Sequence, residues 1–352
     1  MQYIIIGYIN CIKLILYLNS LLLLKNNKNF MGIQHLNRFL IDNCSKSSIR
    51  KIHLRELKHK TVVIDTSIYI YKFIAENKLI ENIYLLISLF RHYSITPIFV
   101  FDGRPPREKR DLLIQRKMQK QEAEQKYLEM KNILENTTDQ EDIAKLQKQL
   151  ENIKKQCINV TMDDIQAVKQ LIEYYGIQYY NAEHEADQLI AYLVNSKKAW
   201  GCISDDMDMF VYGCSRVFRH LSLLNHSIIM YDTKSILNDL EMTLDEFREI
   251  TVLSGTDYNI HNKTTLHDTI HWFYKFKKYS KKNSSSQLSF YQWLLEHTKY
   301  IADYDELINQ YKMFVIQMTD FEYLQNMSFK LLPIQKQELR NFLKNYGFIF
   351  TS

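Results

Sequence analysis

"GCISDDMDMF" (Gly201–Phe210) begins as a buried strand and ends in acid. Its apolar run delivers Asp205, Asp206 and Asp208 within four residues. Three other stretches repeat the plan. "TVVID" ends in Asp65, "TPIFVFD" ends in Asp102, and "IQYYNAEHEAD" runs from a strand into Glu185 and Asp187. Each run is short, continuous and flanked by helix-like sequence, as in parallel strands buried on both faces. The alternation reads as α/β, a parallel twisted sheet with helices on both faces.

Open parallel sheets bind ligands beyond the carboxyl ends of their strands. A single Asp after a strand reads most simply as a helix N-cap. Four such strands together weaken that reading, because Ser, Thr and Asn cap equally well. Converging carboxylates also repel, by about 4 kcal/mol for two charges about 4 Å apart at an effective dielectric near 20. Protonation or a bound divalent cation offsets that cost. Hard oxygen ligands without His or Cys select Mg²⁺ or Mn²⁺ over Zn²⁺. So many acids suit a pair of ions, which activates water and stabilises both oxygens in phosphoryl transfer. Asp206 and Asp208 read as ligands, with Asp205 flanking.

The 352 residues allow roughly two domains and a sizeable core. Apolar residues at 46% and charged residues at 24% place the chain among globular proteins. Glycine (8) and proline (4) are scarce, so helices should dominate. The net charge of +5 is mild, so the distribution of charge matters more than its sum. Five scattered cysteines form no CxxC pair, which argues for reduced thiols and an intracellular protein, and against a zinc site. Residues 3–24 approach bilayer-spanning length, but Lys13, Asn10 and Asn19 interrupt them and no small-residue cleavage site follows. No membrane partner is expected.

"MGIQHLNRFL" (31–40), "VVIDTSIYIY" (62–71), "FVFDGRPPREKR" (99–110), "EHEADQLIAYL" (183–193), "SDDMDMFVYG" (204–213) and "LSGTDY" (253–258) stand in an order and spacing that resembles the flap endonuclease family. These are the structure-specific 5′ nucleases, which include exonuclease 1-like and excision-repair branches. The likeness covers about residues 31–260. It implies a PIN-like 5′ nuclease fold with a helical arch insertion and a C-terminal helical DNA-binding region. The implied metal ligands are Asp65, Asp102, Glu185, Asp187, Asp206, Asp208 and Asp257. Asp187 stands where flap endonucleases usually carry Glu, which resembles the exonuclease 1 branch. The short spacer between nuclease regions argues against the excision-repair branch. The implied division is 31–135 for the N-terminal nuclease region with the start of the arch, 136–260 for the second arch helix and internal nuclease region, and 261–352 for the helical DNA-binding region and cap.

Between Arg104 and Lys126 lie eight basic residues against four acidic ones. In a helix, Lys109 and Arg116 lie two turns apart on one face. The resemblance places them at the scissile phosphate, where they would stabilise developing charge. A solvated basic face is the bland alternative. Ile143, Leu146, Leu150, Ile153 and Cys157 keep helical spacing, and Tyr127 and Met130 lie on a preceding helix. "NTTDQ" (136–140) makes the turn of a helical hairpin, which the family uses as an arch for a single-stranded 5′ end. Tyr71 matches a base-stacking tyrosine, though core packing is its rival reading. His184 reads as a bystander.

After "LSGTDY" the family carries a glycine-bearing hairpin that holds K⁺ and grips duplex phosphates. Here "NIHNKTTLHDTIHWFYKFKKYSKKN" (259–283) has no glycine, so K⁺-independent duplex binding is expected. Leu266, Ile270 and Phe273 form an apolar face, leaving Lys275, Lys278 and Lys282 as phosphate contacts or a solvated face. Arg104 and Gly32 complete the implied DNA contacts. "KKNSSSQL" (281–288) reads as a linker, and 288–345 as a small helical cap. No sliding-clamp-binding tail is expected.

The expectation is a Mg²⁺-dependent nuclease holding two ions, with Mn²⁺ as substitute. It would act as a monomer on DNA with a 5′ flap or a single-strand/double-strand junction, in the nucleus or at a viral replication site. A non-catalytic DNA-junction binder is the alternative, disfavoured by the complete acid set. A phosphatase using Asp206 and Asp208 lacks the Thr its motif wants. The apolar residues 1–30 would have to leave through the crowded neighbourhood of the active site, so translation is expected to start at Met31.

Overall fold

The computed structural model describes residues 33, 35–137, 139–257, 264–283, 288–324 and 329–350. The readings for residues 1–30, for Gly32, for Tyr258 through Lys263 and for Ser284 through Gln287 lie outside the described residues.

Seven strands form one sheet: β1 (Ile49–His53), β2 (Thr61–Asp65), β3 (Thr96–Phe101), β4 (Tyr179–Asn181), β5 (Gly201–Ile203), β6 (Arg216–Ser222) and β7 (Ser227–Asp232). Their order is β1-β7-β6-β5-β2-β3-β4. β2 through β6 run parallel. The sheet is nevertheless mixed, because β7 turns back from β6 and pairs β1, both antiparallel. The expected parallel sheet holds for β2 through β6, and β7 and β1 add antiparallel strands on one side of it. "RVFRHLS" and "SIIMYD" are joined by a tight polar turn rather than by a helix, and a turn that short forces an antiparallel return.

Side chains of β2 alternate between two cores. Val62 and Ile64 pack with the helices Thr66–Ala75, Leu79–His92 and Met162–Tyr174. Val63 packs on the other face with Ala186–Asn195 and Leu244–Leu253. All three side chains are fully buried, which is why the run shows no polar alternation.

Strand order reverses between β2 and β5. The chain moves outward from β2 through β3 to β4, then returns to the far side of β2 as β5. A crevice opens at such a reversal, beyond the carboxyl ends. Ile64 pairs Ile203 in register, so Asp65 and the residues just after Ile203 share that crevice.

The hairpin helices are Arg110–Glu135 and Gln140–Lys154, and Ala123 and Leu150 are their buried residues. Residues 288–345 do not form one cap. Phe290–His297 and Tyr304–Met313 join the core on the Val63 face, while Leu339, Phe342 and Leu343 join the core of Val62 and Ile64. The i, i+3, i+4 apolar stripe of Lys336–Asn345 covers the Met162–Tyr174 helix, with Phe342 against Tyr174. No helix among the described residues is long and apolar enough to cross a membrane.

Candidate functional site

Local structure brings each acid to the crevice. Asp65 is the last residue of β2 and stands at the N-cap of Thr66–Ala75, without capping it. Freed from capping, its Oδ2 accepts the Ser204 hydroxyl at 3.0 Å. The same Ser204 oxygen accepts the Asp206 N–H at 3.1 Å, and Asp206 Oδ1 accepts the Asp208 N–H at 2.9 Å. One serine thus ties the end of β2 to the loop after β5.

Asp102 follows β3, and its Oδ1 accepts the Ala186 N–H at 2.8 Å. It therefore caps the helix that carries Glu185 and Asp187 at its start. Gly103 makes this approach possible. Its N–H donates to the His184 carbonyl at 2.6 Å, and the Arg104 N–H donates to the Glu183 carbonyl at 3.1 Å. A Cβ on Gly103 would fall 2.1 Å from the Ala182 carbonyl oxygen. Only glycine fits between the two backbones.

Asp257, beyond the helix Leu244–Leu253, reaches the same place. Lys109 Nζ lies 2.6 Å from Glu185 Oε1 and 3.8 Å from Asp257 Oδ2. Arg116 donates to Asp257 Oδ2 at 2.9 Å. The two cations named from sequence spacing therefore converge on one carboxylate.

Burial makes the arrangement electrostatically tense. Asp65, Asp187, Asp206, Asp208, Asp257 and Lys109 are all buried. Burial, with Asp102 and Asp206 nearby, pushes the Asp65 carboxyl up to about 8. Burial and the charges of Asp206 and Asp65 raise Asp187 well above the carboxylate range. Burial, then Asp206 and Asp257, does the same to Asp208. Asp206 is also raised, chiefly by burial. For Lys109 burial opposes the charge, but Glu185, Asp187 and Asp257 overcome it and hold the ammonium protonated.

Asp208 Oδ1 is buried without a hydrogen-bond partner among the described residues. An orphaned anionic oxygen in a ring of raised carboxyls is the environment that a divalent cation relieves. The donors are oxygens throughout, which fits a hard cation. Among the described residues, no three acidic, His or Cys side chains already stand in ligand geometry. Lys109 and Arg116 supply the local positive charge, so ion binding would require side chains to re-aim.

Other named residues separate from this cluster. Asp205 faces β6, where its carboxylate accepts the His220 N–H and its carbonyl accepts Arg219. Arg104 and His184 are exposed. Tyr71 is 53% exposed beside the buried Ile70 and Phe73, so it is not a core residue. Lys275 and Lys278 are exposed on the helix Leu266–Lys282, Lys275 lies 4.2 Å from the centre of the Trp272 ring, and Lys277 pairs with Glu246. Sequence reasoning missed Ser204, Gly103 and Arg219. Ser204 carried a readable signal, a small hydroxyl between strand and acids. The backbone contacts of Gly103 and Arg219 depend on tertiary structure.

The XPG N-terminal domain model matches residues 31–123, and the XPG I-region model matches residues 176–257. Between them these ranges hold all seven carboxylates and both cations. The chain belongs to the 5′ nuclease family. Flap endonuclease 1 of Methanococcus aeolicus is 30% identical over 231 residues, covering 60% of this chain and 66% of that protein. Flap endonuclease 1 of Glycine max is 30% identical over 247 residues, covering 65% of this chain and 62% of that protein. The chain thus spans a little under two thirds of the curated relatives it matches. Among solved structures, the catalytic core of Rad2 in complex with DNA substrate superposes with TM-score 0.62 at 22% identity, over 89% of this chain and 95% of that one. Human GEN1 in complex with Holliday junction DNA gives 0.55 at 17%, over 90% and 74%. These likenesses establish a PIN-type 5′ nuclease fold.

Proposed function

We propose that the protein is a divalent-metal-dependent, structure-specific 5′ nuclease. It would hydrolyse a DNA phosphodiester near a junction of single and double strands, as in a 5′ flap or a gap. The observation that carries this reading is the convergence of seven carboxylates, from four strand ends and one helix end, on a crevice that also receives Lys109 and Arg116. The similarity to flap endonuclease 1 proteins, and to the catalytic core of Rad2 in complex with DNA substrate, agrees with it.

Asp206, Asp208, Asp187 and Glu185 would hold one ion. Asp65, Asp102 and Asp257 would complete a second site, in part through water. Two Mg²⁺ ions, replaceable by Mn²⁺, would supply an activated water and charge stabilisation at both reacting oxygens. The protein's own groups do the rest. Lys109 stays protonated among acids and offers an ammonium to the phosphate. Arg116 adds a planar guanidinium from the base of the hairpin. Tyr71, exposed beyond Asp65, offers a ring on which a base beside the junction can stack, worth about 1–3 kcal/mol. Arg104, Lys275 and Lys278 would contact backbone phosphates.

The test is a duplex labelled on a 5′ flap, incubated with Mg²⁺ and separately with EDTA. Metal-dependent release of the flap near the junction is expected. Binding without cleavage in either condition would replace the nuclease by a junction-binding protein.

A further inference from the structure

A second hollow lies at the opposite end of the sheet. It has a volume of about 550 Å³ and opens where β2, β5 and β6 begin. The Trp200 N–H donates to the Thr61 carbonyl at 2.7 Å, which closes its floor. β2 separates it from Asp65 by about 13 Å at the rise of a strand. The hollow is therefore distinct from the carboxylate crevice.

Its charge is the reverse of that crevice. Lys60, Lys197, Lys198 and Arg216 line it together with His59, and no Asp or Glu is among the described lining residues. Asp232 offsets part of the charge from behind, 3.6 Å from Arg216 Nε. Lys60 Nζ lies 5.3 Å and Arg216 Cζ 4.6 Å from the centre of the Trp200 ring, which itself stacks on Phe218 at 5.6 Å and 24°. A ring holds a cation without taking its hydrogen-bond donors, so the donors of Lys60, and those of Arg216 that Asp232 does not take, stay available to an anion.

The rim keeps this charge at a conformational cost. Lys197 follows the helix Ala186–Asn195 in the left-handed region, at φ 62°. Glycine is the usual residue there, and a side chain in that region carries a conformational cost. His59 on the same rim is also left-handed, at φ 59°. Two basic-type side chains thus stand where the backbone alone favours glycine.

We propose that this hollow binds a nucleotide, either free or as one unit of a single-stranded nucleic acid. Its phosphate would lie on Lys60, Lys197 and Arg216, and its base against the Trp200–Arg216 surface. The volume falls within the range of small-ligand pockets, about 300–1,000 Å³. Arginine and lysine donors match phosphate, and a guanidinium plane accepts a stacked base.

The experiment measures binding alone, in EDTA, so it is independent of the nuclease reading. The whole protein is titrated with thymidine monophosphate, a ten-nucleotide oligothymidylate and inorganic phosphate, following tryptophan fluorescence. Saturable binding of the monophosphate or the oligonucleotide is expected, at least tenfold tighter than inorganic phosphate. The preferred probe identifies a free nucleotide or a strand as the natural occupant. The double variant Lys60→Glu, Lys197→Glu changes two partly or fully exposed side chains and should weaken binding at least tenfold, with flap cleavage and melting temperature unchanged. Trp200→Phe should remove the fluorescence change and leave affinity within about threefold by calorimetry. No saturable binding, equal binding of bare phosphate, or affinity unchanged by the charge reversals would each overturn the proposal.

Discussion

The carboxylate crevice and the helical hairpin obey opposite rules. In the crevice, charges are buried, crowded and pushed far from their ordinary titration range. In the hairpin, apolar side chains such as Met118, Leu128 and Ile133 are more than half exposed. The hairpin satisfies local rules instead. Asp139 caps its second helix by accepting the Glu141 and Asp142 N–H groups, and Lys145 pairs with Glu141 one turn away. The difference teaches where stability comes from. Packing elsewhere in the molecule holds the crevice against its own repulsion, whereas helix signals and one partner helix hold the hairpin. Six substitutions probe that contrast.

The largest effect belongs in the crevice. Asp206→Asn should reduce cleavage by more than about 10³-fold while leaving flap binding intact or tighter, because an anionic ligand is lost and a repulsive charge with it. Single-turnover kinetics with a binding isotherm decides this, and near-wild-type turnover would defeat the metal assignment. Next come the two residues that join the regions. Lys109→Ala and Arg116→Ala should each lower the single-turnover rate by about 10²-fold, with affinity changed by less than about threefold. A loss confined to affinity would make them ordinary backbone contacts.

Gly103→Ala tests packing directly. The new methyl meets the Ala182 carbonyl, so the two acid-bearing loops must part. A stability loss of about 1–3 kcal/mol in denaturant unfolding is expected, with reduced activity.

Acidity comes fourth. Asp65 titrates near 8 in the fold against an ordinary value of 3.8. The folded state therefore binds the extra proton, and stability falls as pH rises. Its contribution is fully present below about pH 4 and is lost as pH climbs through 8. In EDTA, the melting temperature should decline from pH 5 to 8.5, and Asp65→Asn should flatten that decline. An identical slope in the variant would show that Asp65 is not one of the groups responsible.

The smallest change lies on the hairpin. Leu128→Gln exchanges an exposed apolar side chain and should shift stability by less than about 0.5 kcal/mol. A loss above 1 kcal/mol would reveal packing that its exposure does not.

Legibility followed the same division. "TVVID", "TPIFVFD" and "GCIS" were readable as central strands because burial on both faces leaves continuous apolar runs. β1 and β6 were not, since "IRKIH" and "RVFRHLS" carry charges that burial on both faces does not predict. Individual acids were visible in the sequence. Their connections through Ser204 and Gly103 were not, because each joins residues brought together only by the fold. The split of residues 288–345 between two faces was equally hidden, since an apolar stripe names its own face but not its partner.

The pairing of β2 with β5 has a consequence in time. Asp65 and Ser204 meet across 139 residues of chain, and the whole helical hairpin is made between them. Contacts so distant in sequence close slowly. During synthesis at about 5–20 residues per second, β2 waits on the order of ten seconds for its central neighbour, with one edge unpaired. Until Gly201–Ile203 emerges, no ion-holding crevice exists, and a chain stopped just before it carries four of the seven acids with nothing to gather them.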